Sequence, residues 1–193
     1  YLLLLLAFIG GMQLAIGATA GERERQSLEP LLATPATRAA IISGKILATA
    51  AFTLLSVLVT LVMYRLAFAL VPAERMDMSL AVPVDALGLL LLVILPVVLL
   101  GATVLTALAA SARRHREAQG DLPLPSCLPR SPTLYLMVAP VKPLAWMLAV
   151  PFLGQNQLIL RILRRESIGL VEWAISLGSG FVLVAIVWVL AAR

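Results

Sequence analysis

Charged residues are scarce in this chain of 193 residues. Lysine, arginine, aspartate and glutamate together make up 13% of the sequence, whereas hydrophobic residues make up 61%. A typical soluble domain has about 25% charged and about 45–50% apolar residues. A soluble globule of this length could not hide so much apolar area, because small domains leave much of their surface in water. Intrinsic disorder requires low hydrophobicity and is excluded as well. The composition therefore indicates an integral membrane protein.

Cysteine and histidine occur once each, at Cys127 and His115. A single cysteine excludes an internal disulfide and a cysteine-based metal cluster, and a single histidine excludes the paired-histidine metal motifs. Cys127 is interpreted as a small side chain without a special role. His115 stands among Arg113, Arg114 and Arg116 and is interpreted as part of a solvated basic flank. We therefore expect no metal site.

The sequence also lacks the motifs of common enzymes. It contains no glycine-rich phosphate loop ending in Lys-Ser or Lys-Thr, no Ser-x-x-Lys and no Gly-x-Ser-x-Gly. An intramembrane protease would need paired acids, or a serine with a histidine, inside the membrane helices, but Glu172 is the only acid within a predicted span. We therefore expect that the chain is not an enzyme. Acids within spans are costly and often functional, so Glu172 is a candidate pathway residue, with a location at the membrane interface as the alternative.

Long apolar runs dominate the sequence. About 20 apolar residues cross the hydrocarbon core as a helix. Four runs satisfy this length: residues 1–20, 46–71, 86–110 and 168–192. Pro96 lies inside the third run and predicts a kink. Residues 129–160 are apolar but broken by prolines, which favours one short span with short interfacial or re-entrant helices. The fold class predicted is an all-α, polytopic transmembrane helical bundle with about five spans.

The charges between the runs predict the orientation of the helices. Lysines and arginines cluster in residues 21–45 and 111–130, whereas the charged residues within 72–85 are mainly acidic. Because cytoplasmic loops are enriched in Lys and Arg, the two basic loops are predicted to face the cytoplasm and the acidic loop the outside. The basic loops also explain the net charge of +5, so this charge is not interpreted as a nucleic-acid-binding patch.

A further basic group follows the proline-rich region: Arg161, Arg164 and Arg165. This group lies outside if residues 129–160 span the membrane once, and inside if they do not. The charge rule alone leaves both positions open.

The most distinctive stretch is residues 21–35, which read Gly-Glu-Arg-Glu-Arg-Gln-Ser-Leu-Glu-Pro-Leu-Leu-Ala-Thr-Pro. Its charges alternate in sign, and Leu28, Leu31 and Leu32 form a short apolar stripe at helical spacing. Ser27 can cap a short helix there. A capped amphipathic helix of this kind is suited to docking on a partner subunit. The residues are equally compatible with a rigid connector on the membrane surface.

This stretch, together with Ile-Ile-Ser-Gly-Lys at residues 41–45, resembles the signature of type-2 ABC transporter permeases, and of NatB-type sodium-efflux permeases in particular. Two further stretches resemble the same family. One is Ser-Ala-Arg-Arg-His-Arg-Glu-Ala-Gln at residues 111–119, and the other combines Pro-Val-Lys-Pro at residues 140–143 with Pro-Phe-Leu-Gly-Gln-Asn at residues 151–156.

The resemblance implies that residues 1–193 are one permease domain of an ATP-driven exporter in the bacterial inner membrane. Residues 21–45 would be the cytoplasmic coupling segment, and residues 141–166 would form short outward-facing helices before the last span. ATP and Mg²⁺ would bind to a separate ATP-binding subunit, so no cofactor is expected in this chain. A second permease copy or a paralogue would complete the path through the bilayer, and a first span with an extracellular domain would precede Tyr1. The coupling residues implied are Glu22, Arg23, Glu24, Arg25, Glu29 and Leu31.

The sequence departs from the family pattern after Gln119. The family continues there with an apolar span, whereas residues 120–132 contain Asp121, Arg130 and several prolines. Such a segment is a poor membrane helix. Two alternatives to a working permease follow: a non-transporting membrane scaffold or assembly protein that holds a partner with the same loop, and a non-functional fragment of a permease.

Overall fold

The computed structural model describes residues 2–22, 37–70, 84–111 and 145–192. Nearly all of these residues are helical and none of them forms a strand, so the predicted all-α membrane bundle is confirmed. The helices in chain order are α1 (Leu2–Ile9), α2 (Met12–Ile16), α3 (Arg38–Leu70), α4 (Val84–Ser111), α5 (Ala145–Ala149), α6 (Leu153–Leu163) and α7 (Leu170–Ala192). A π-helical turn, Gly17–Gly21, continues α2.

Among the described residues, three helices are long and apolar enough to cross a membrane. They are α3, α4 and α7. The second of the four predicted runs begins earlier than its apolar composition indicated, because α3 starts at Arg38. The hydroxyl of Thr37 accepts a hydrogen bond from the backbone N–H of Ala40 at 3.2 Å, which caps the helix. The end of the predicted coupling segment, residues 38–45, therefore forms the first turns of α3.

The first apolar run is divided into α1 and α2 by Gly10 and Gly11. A Cβ atom at Gly11 would lie 2.3 Å from Thr53 Oγ1 and 2.7 Å from Thr49 Cγ2. Only glycine permits this close approach to α3. The run that qualified by length as one span is thus two short helices and a π turn. Helical hydrogen bonds from Gly10 to Leu6 and from Ala15 to Gly11 lie on either side of the break, and the apolar helical stretch Leu3–Thr19 is short for a span.

Helix α4 is the centre of the bundle. It packs against α1, α2, α3, α6 and α7. In its candidate span 56% of residues are buried, compared with 33% in α3 and 11% in α7. The outer faces of α3 and α7 present large apolar side chains, which suits contact with lipid. On α7 these include Leu170, Val171, Val182 and Leu190.

The short helices α5 and α6 form a hairpin that packs on α7. Its bend lies at Phe152, whose φ of 69° is unusual for a residue with a side chain. Gly154 follows the bend and lies against α7, where an added Cβ atom would be 2.9 Å from Ser176 Oγ. Half of the proline-rich stretch 129–160, residues 129–144, lies outside the described residues, so its predicted short span stays a prediction.

Candidate functional site

The two ends of the bundle are defined by contacts between distant helices. Trp188 Nε1, near the end of α7, donates a hydrogen bond to Ser43 Oγ near the start of α3 at 3.2 Å. Lys45, two residues further along α3, contacts Glu22. These four residues mark one end, which we call the Lys45 end.

The opposite end contains the turn between α6 and α7. A helix rises about 1.5 Å per residue, so the start of α7 lies about 27 Å from Trp188. We call this the Arg161 end. The group Arg161, Arg164 and Arg165, whose position loop charge left open, therefore lies at the end of the bundle opposite Lys45.

At the Lys45 end, the lysine joins two helices. Its Nζ atom lies 2.5 Å from Glu22 Oε2 and also donates a hydrogen bond to the carbonyl of Ala18. The side chains of Lys45 and Glu22 are 14% and 34% exposed. Ion pairs that are partly withdrawn from water and form such charge-assisted hydrogen bonds are stronger than surface pairs. Glu22 and Lys45 therefore hold together the two flanks of residues 23–36.

The backbone before Glu22 adopts a π turn for identifiable reasons. Glycines at both ends of the turn, Gly17 and Gly21, weaken the preference for a regular α-helix. The hydroxyl of Thr19 donates a hydrogen bond to the carbonyl of Ala15, four residues back. Such a bond competes with the backbone ladder and bends helices.

Near the middle of the bundle, Gln155 connects the hairpin to α7. Its Oε1 atom accepts a hydrogen bond from the backbone N–H of Phe152 at 2.5 Å, and its Nε2 atom donates to the carbonyl of Ser176 at 3.3 Å. Gln155 is 1% exposed. Both ends of this buried amide are thus used, one on the bend and one on α7, where Gly180 faces Pro96 of α4.

At the Arg161 end, the candidate pathway residue Glu172 is held by an ion pair. Arg161 Nη1 lies 2.7 Å from Glu172 Oε1, and the backbone N–H of Gly169 donates to Glu172 Oε2 at 3.1 Å. Glu166 lies farther away, 4.0 Å from Arg161 Nε. Glu172 is thus in the first turn of α7, with its charge matched by Arg161.

The structure describes one of the predicted coupling residues. Glu22 is paired with Lys45, whereas Arg23, Glu24, Arg25, Glu29 and Leu31 lie outside the described residues. Lys45 ends the motif at residues 41–45 that resembles the permease family, but the sequence alone did not indicate it as a site residue. A lone lysine beside an apolar run was the available signal, since a cation there needs a partner.

Three buried hydroxyls have no hydrogen-bond partner within the described parts of the chain. They belong to Thr49 of α3, Thr106 of α4 and Ser176 of α7. A buried hydroxyl without a partner is costly, and such groups are often explained by a ligand or water. Within the same parts of the chain, no group of three or more His, Cys, Asp or Glu residues is placed to hold a metal ion.

Comparison with known proteins identifies the family. Residues 1–122 match the model of the family described as ABC-2 family transporter protein. The match includes α1 to α4 and the segment between Glu22 and Lys45, and it ends at residue 122. No curated protein and no solved structure gives a significant match. The chain therefore belongs to the ABC-2 transporter family, and it is an integral membrane permease subunit of an ABC transporter rather than the ATPase.

Proposed function

We propose that this permease subunit exports Na⁺ across the bacterial inner membrane, driven by ATP hydrolysis in a separate subunit. ATP and Mg²⁺ bind to that ATP-binding subunit, and a second permease copy or a paralogue completes the path. The mechanism is alternating access, in which the docked subunit shifts the permease between two conformations. Family membership supports the pairing with an ATP-binding subunit, and the resemblance of residues 21–45 to sodium-efflux permeases supports the substrate.

The contact between Lys45 and Glu22 is the observation that carries the coupling role. Because Lys45 binds both Glu22 and the carbonyl of Ala18, a force on residues 23–36 acts on α3 and on the π turn together. Helix α3 packs on α4, and α4 packs on α7. Coupling between distant sites requires a contiguous set of packed elements of this kind.

The docking surface proposed for the ATP-binding subunit consists of alternating charges followed by an apolar stripe. Alternating charge favours a protein surface of complementary charge over a uniformly anionic lipid surface. The residues assigned to this contact are Glu22, Arg23, Glu24, Arg25, Glu29 and Leu31.

The ion path is assigned to the interior of the bundle, where Thr49 lies against Gly11 and Ser176 lies against Gly154 of α6. The unpartnered hydroxyls of Thr49, Thr106 and Ser176 supply oxygen atoms, which hard cations prefer as ligands. Glu172 is proposed to lie at the outer end of the ion path, where the ion pair with Arg161 favours its ionised form.

The test is co-expression of the full-length permease with its ATP-binding subunit, followed by affinity capture. The variant Glu22→Gln with Arg23→Gln, Glu24→Gln and Arg25→Gln should lose the partner. The control, Arg164→Gln with Glu166→Gln, alters charges at the opposite end and should retain it. Capture that does not depend on residues 22–25 would contradict the coupling role.

Sodium export is tested separately in vesicles that contain the assembled complex. ATP-dependent movement of ²²Na⁺ is expected in the wild-type complex and should be lost in the coupling variant. ATP hydrolysis without ion movement would support the second candidate, a non-transporting scaffold. That candidate is favoured by residues 120–132, because prolines and charges stand where the family pattern has a span.

A further inference from the structure

The π turn at Gly17–Gly21 lies directly before the proposed coupling segment, and the inference below rests on that proposed function. The residues on both sides of the turn, Ile16 and Glu22, have α-helical backbone angles. The backbone is therefore helical from Ile16 to Glu22, and the register of the turn decides the direction in which the chain leaves Glu22.

The hydrogen bonds in this turn show what maintains it. In a regular α-helix, the N–H of Glu22 donates to the carbonyl of Ala18, four residues back. Here the Glu22 N–H donates to the carbonyl of Thr19 instead. The carbonyl of Ala18 accepts a hydrogen bond from Lys45 Nζ. The lysine ammonium thus takes the place that the amide of Glu22 has in the regular register.

Packing at Gly17 does not enforce the π turn. An added Cβ atom at Gly17 would meet nothing within 4 Å, so the first residue of the turn has space to adopt the regular register. Lys45, by contrast, is largely buried and binds the turn at two atoms, the carbonyl of Ala18 and the carboxylate of Glu22. Lys45 therefore acts together with the glycines of the turn and the Thr19 hydroxyl in holding the π register.

We propose that Lys45 is a positioning residue for coupling, and that exchange of Lys45 for the Glu22 amide at the Ala18 carbonyl switches the turn between a π and an α register. A π turn holds one residue more than the α turn that it replaces. In the α register that residue takes a regular helical place, which rotates the chain after Glu22 by about 100° and moves it by about 1.5 Å along the axis. Residues 23–36 follow at once, so the switch reorients the surface offered to the ATP-binding subunit. A docked partner that binds one register more tightly shifts the equilibrium between the two registers. By linkage it also shifts the conformation of the Arg161 end of the bundle.

The test measures the register and the coupling in parallel. Nitroxide labels at Gln26 and Ala48, in a Cys127→Ser background, report the distance between the segment and α3 in the purified full-length permease. Lys45→Met removes the ammonium, and Gly17→Ala favours the α register by helix propensity without touching the lysine. Both variants should shift the distance distribution in the same direction. In the assembled complex both should lower permease-stimulated ATP hydrolysis by about tenfold while the partner is still captured.

Two controls separate the switch from a general loss of structure. Lys45→Arg keeps a cationic donor and should restore the wild-type distance and ATP hydrolysis. Gly88→Ala adds a methyl group at another open glycine, on α4 and outside the coupling segment, and should change neither. An unchanged distance in both Lys45→Met and Gly17→Ala, or a shifted distance with full coupling, would overturn the proposal. Failure of the wild-type permease to capture the ATP-binding subunit would overturn the proposed function instead, and the distances in the permease alone would still decide the register.

Discussion

At the scale of single residues, the absence of a side chain at Gly180 allows three helices to meet. A Cβ atom there would lie 2.8 Å from Pro96 Cβ and 2.9 Å from Gln155 Nε2. We expect Gly180→Ala to lower the free energy of unfolding in detergent micelles by about 1–3 kcal/mol, because overpacking forces the backbone to move. Gly178→Ala, on the same helix with nothing within 4 Å of the added atom, is the control. It should change stability by less than about 0.5 kcal/mol, and equal losses in the two variants would contradict the packing described.

The ion pair of Arg161 with Glu172 provides a second prediction at this scale. A double-mutant cycle with Arg161→Gln and Glu172→Gln should give a coupling energy of about 1 kcal/mol, since the two side chains are only 19% and 30% exposed. The pair Arg164 and Glu166, at 3.9 Å and with 70% and 49% exposure, should give a value near zero. Unfolding free energies of the single and double variants measure both. Similar values for the two pairs would show that burial does not strengthen the first.

The sequence indicated Glu172 as unusual because an acid within an apolar run is costly. It did not indicate the partner. Arg161 is 11 residues earlier, and the two meet only because the chain turns between α6 and α7. Lys45 was missed for the same physical reason, since its partners Glu22 and Ala18 lie across a segment whose path no periodicity describes. The sequence showed which charged residues lie in or beside apolar runs, but which residues pair with one another depended on the tertiary structure.

At the scale of elements, the α5–α6 hairpin is held to α7 by one buried amide. We expect Gln155→Leu to lower the free energy of unfolding by about 1–3 kcal/mol, because the N–H of Phe152 loses its partner in a buried bend. Gln157→Leu, on a half-buried face of the same helix, is the control and should have an effect of less than about 0.5 kcal/mol. Thermal or denaturant unfolding of the purified permease measures the difference. Matching effects would mean that the bend at Phe152 does not depend on Gln155.

The apolar runs predicted the long helices well and the breaks poorly. Run length and the lack of charge were sufficient for α3, α4 and α7, because a membrane span has few alternatives to a helix. The division of the first run at Gly10 and Gly11 was not predicted. Glycines are common in membrane helices, and the close approach of Thr49 and Thr53 to this pair is visible only in the tertiary structure.

At the scale of the whole molecule, the Lys45 end and the Arg161 end should face opposite sides of the membrane. Single cysteines at Ala40 and Ser167, in a Cys127→Ser background, test this with a membrane-impermeant maleimide. Ser167→Cys should react in intact cells, whereas Ala40→Cys should react only after the cells are opened. Reaction of both from the same side would contradict the arrangement. The charge rule had predicted the side of residue 40 and left the side of residue 167 open, whereas the family resemblance implied the outer side for the helices before it. The contact between Trp188 and Ser43 places residue 167 at the end opposite Lys45.

Composition determined the class of this molecule, and one loop indicated its family. The surrounding lipid requires the spans to be helical, because it cannot satisfy exposed backbone groups. How these helices are arranged in the bundle depends on contacts between residues that are far apart in the chain. Helix α4 shows the limit of composition clearly. It is the most buried of the three long described helices, yet its apolar residues resemble those of the lipid-facing α7. In a membrane, hydropathy does not distinguish the protein interior from the lipid boundary.

The hydrogen bond between Trp188 and Ser43 links two helices that are synthesised at very different times. The partners are 145 residues apart, so α3 enters the bilayer long before α7 leaves the ribosome. Helices α1 to α4 pack on one another and can associate during that interval. In a chain arrested before α7, helices α1 to α4 would thus be assembled, but the face of α4 around Pro96 would lack the helix that packs on it. Membrane proteases could recognise this exposed face before any partner subunit binds.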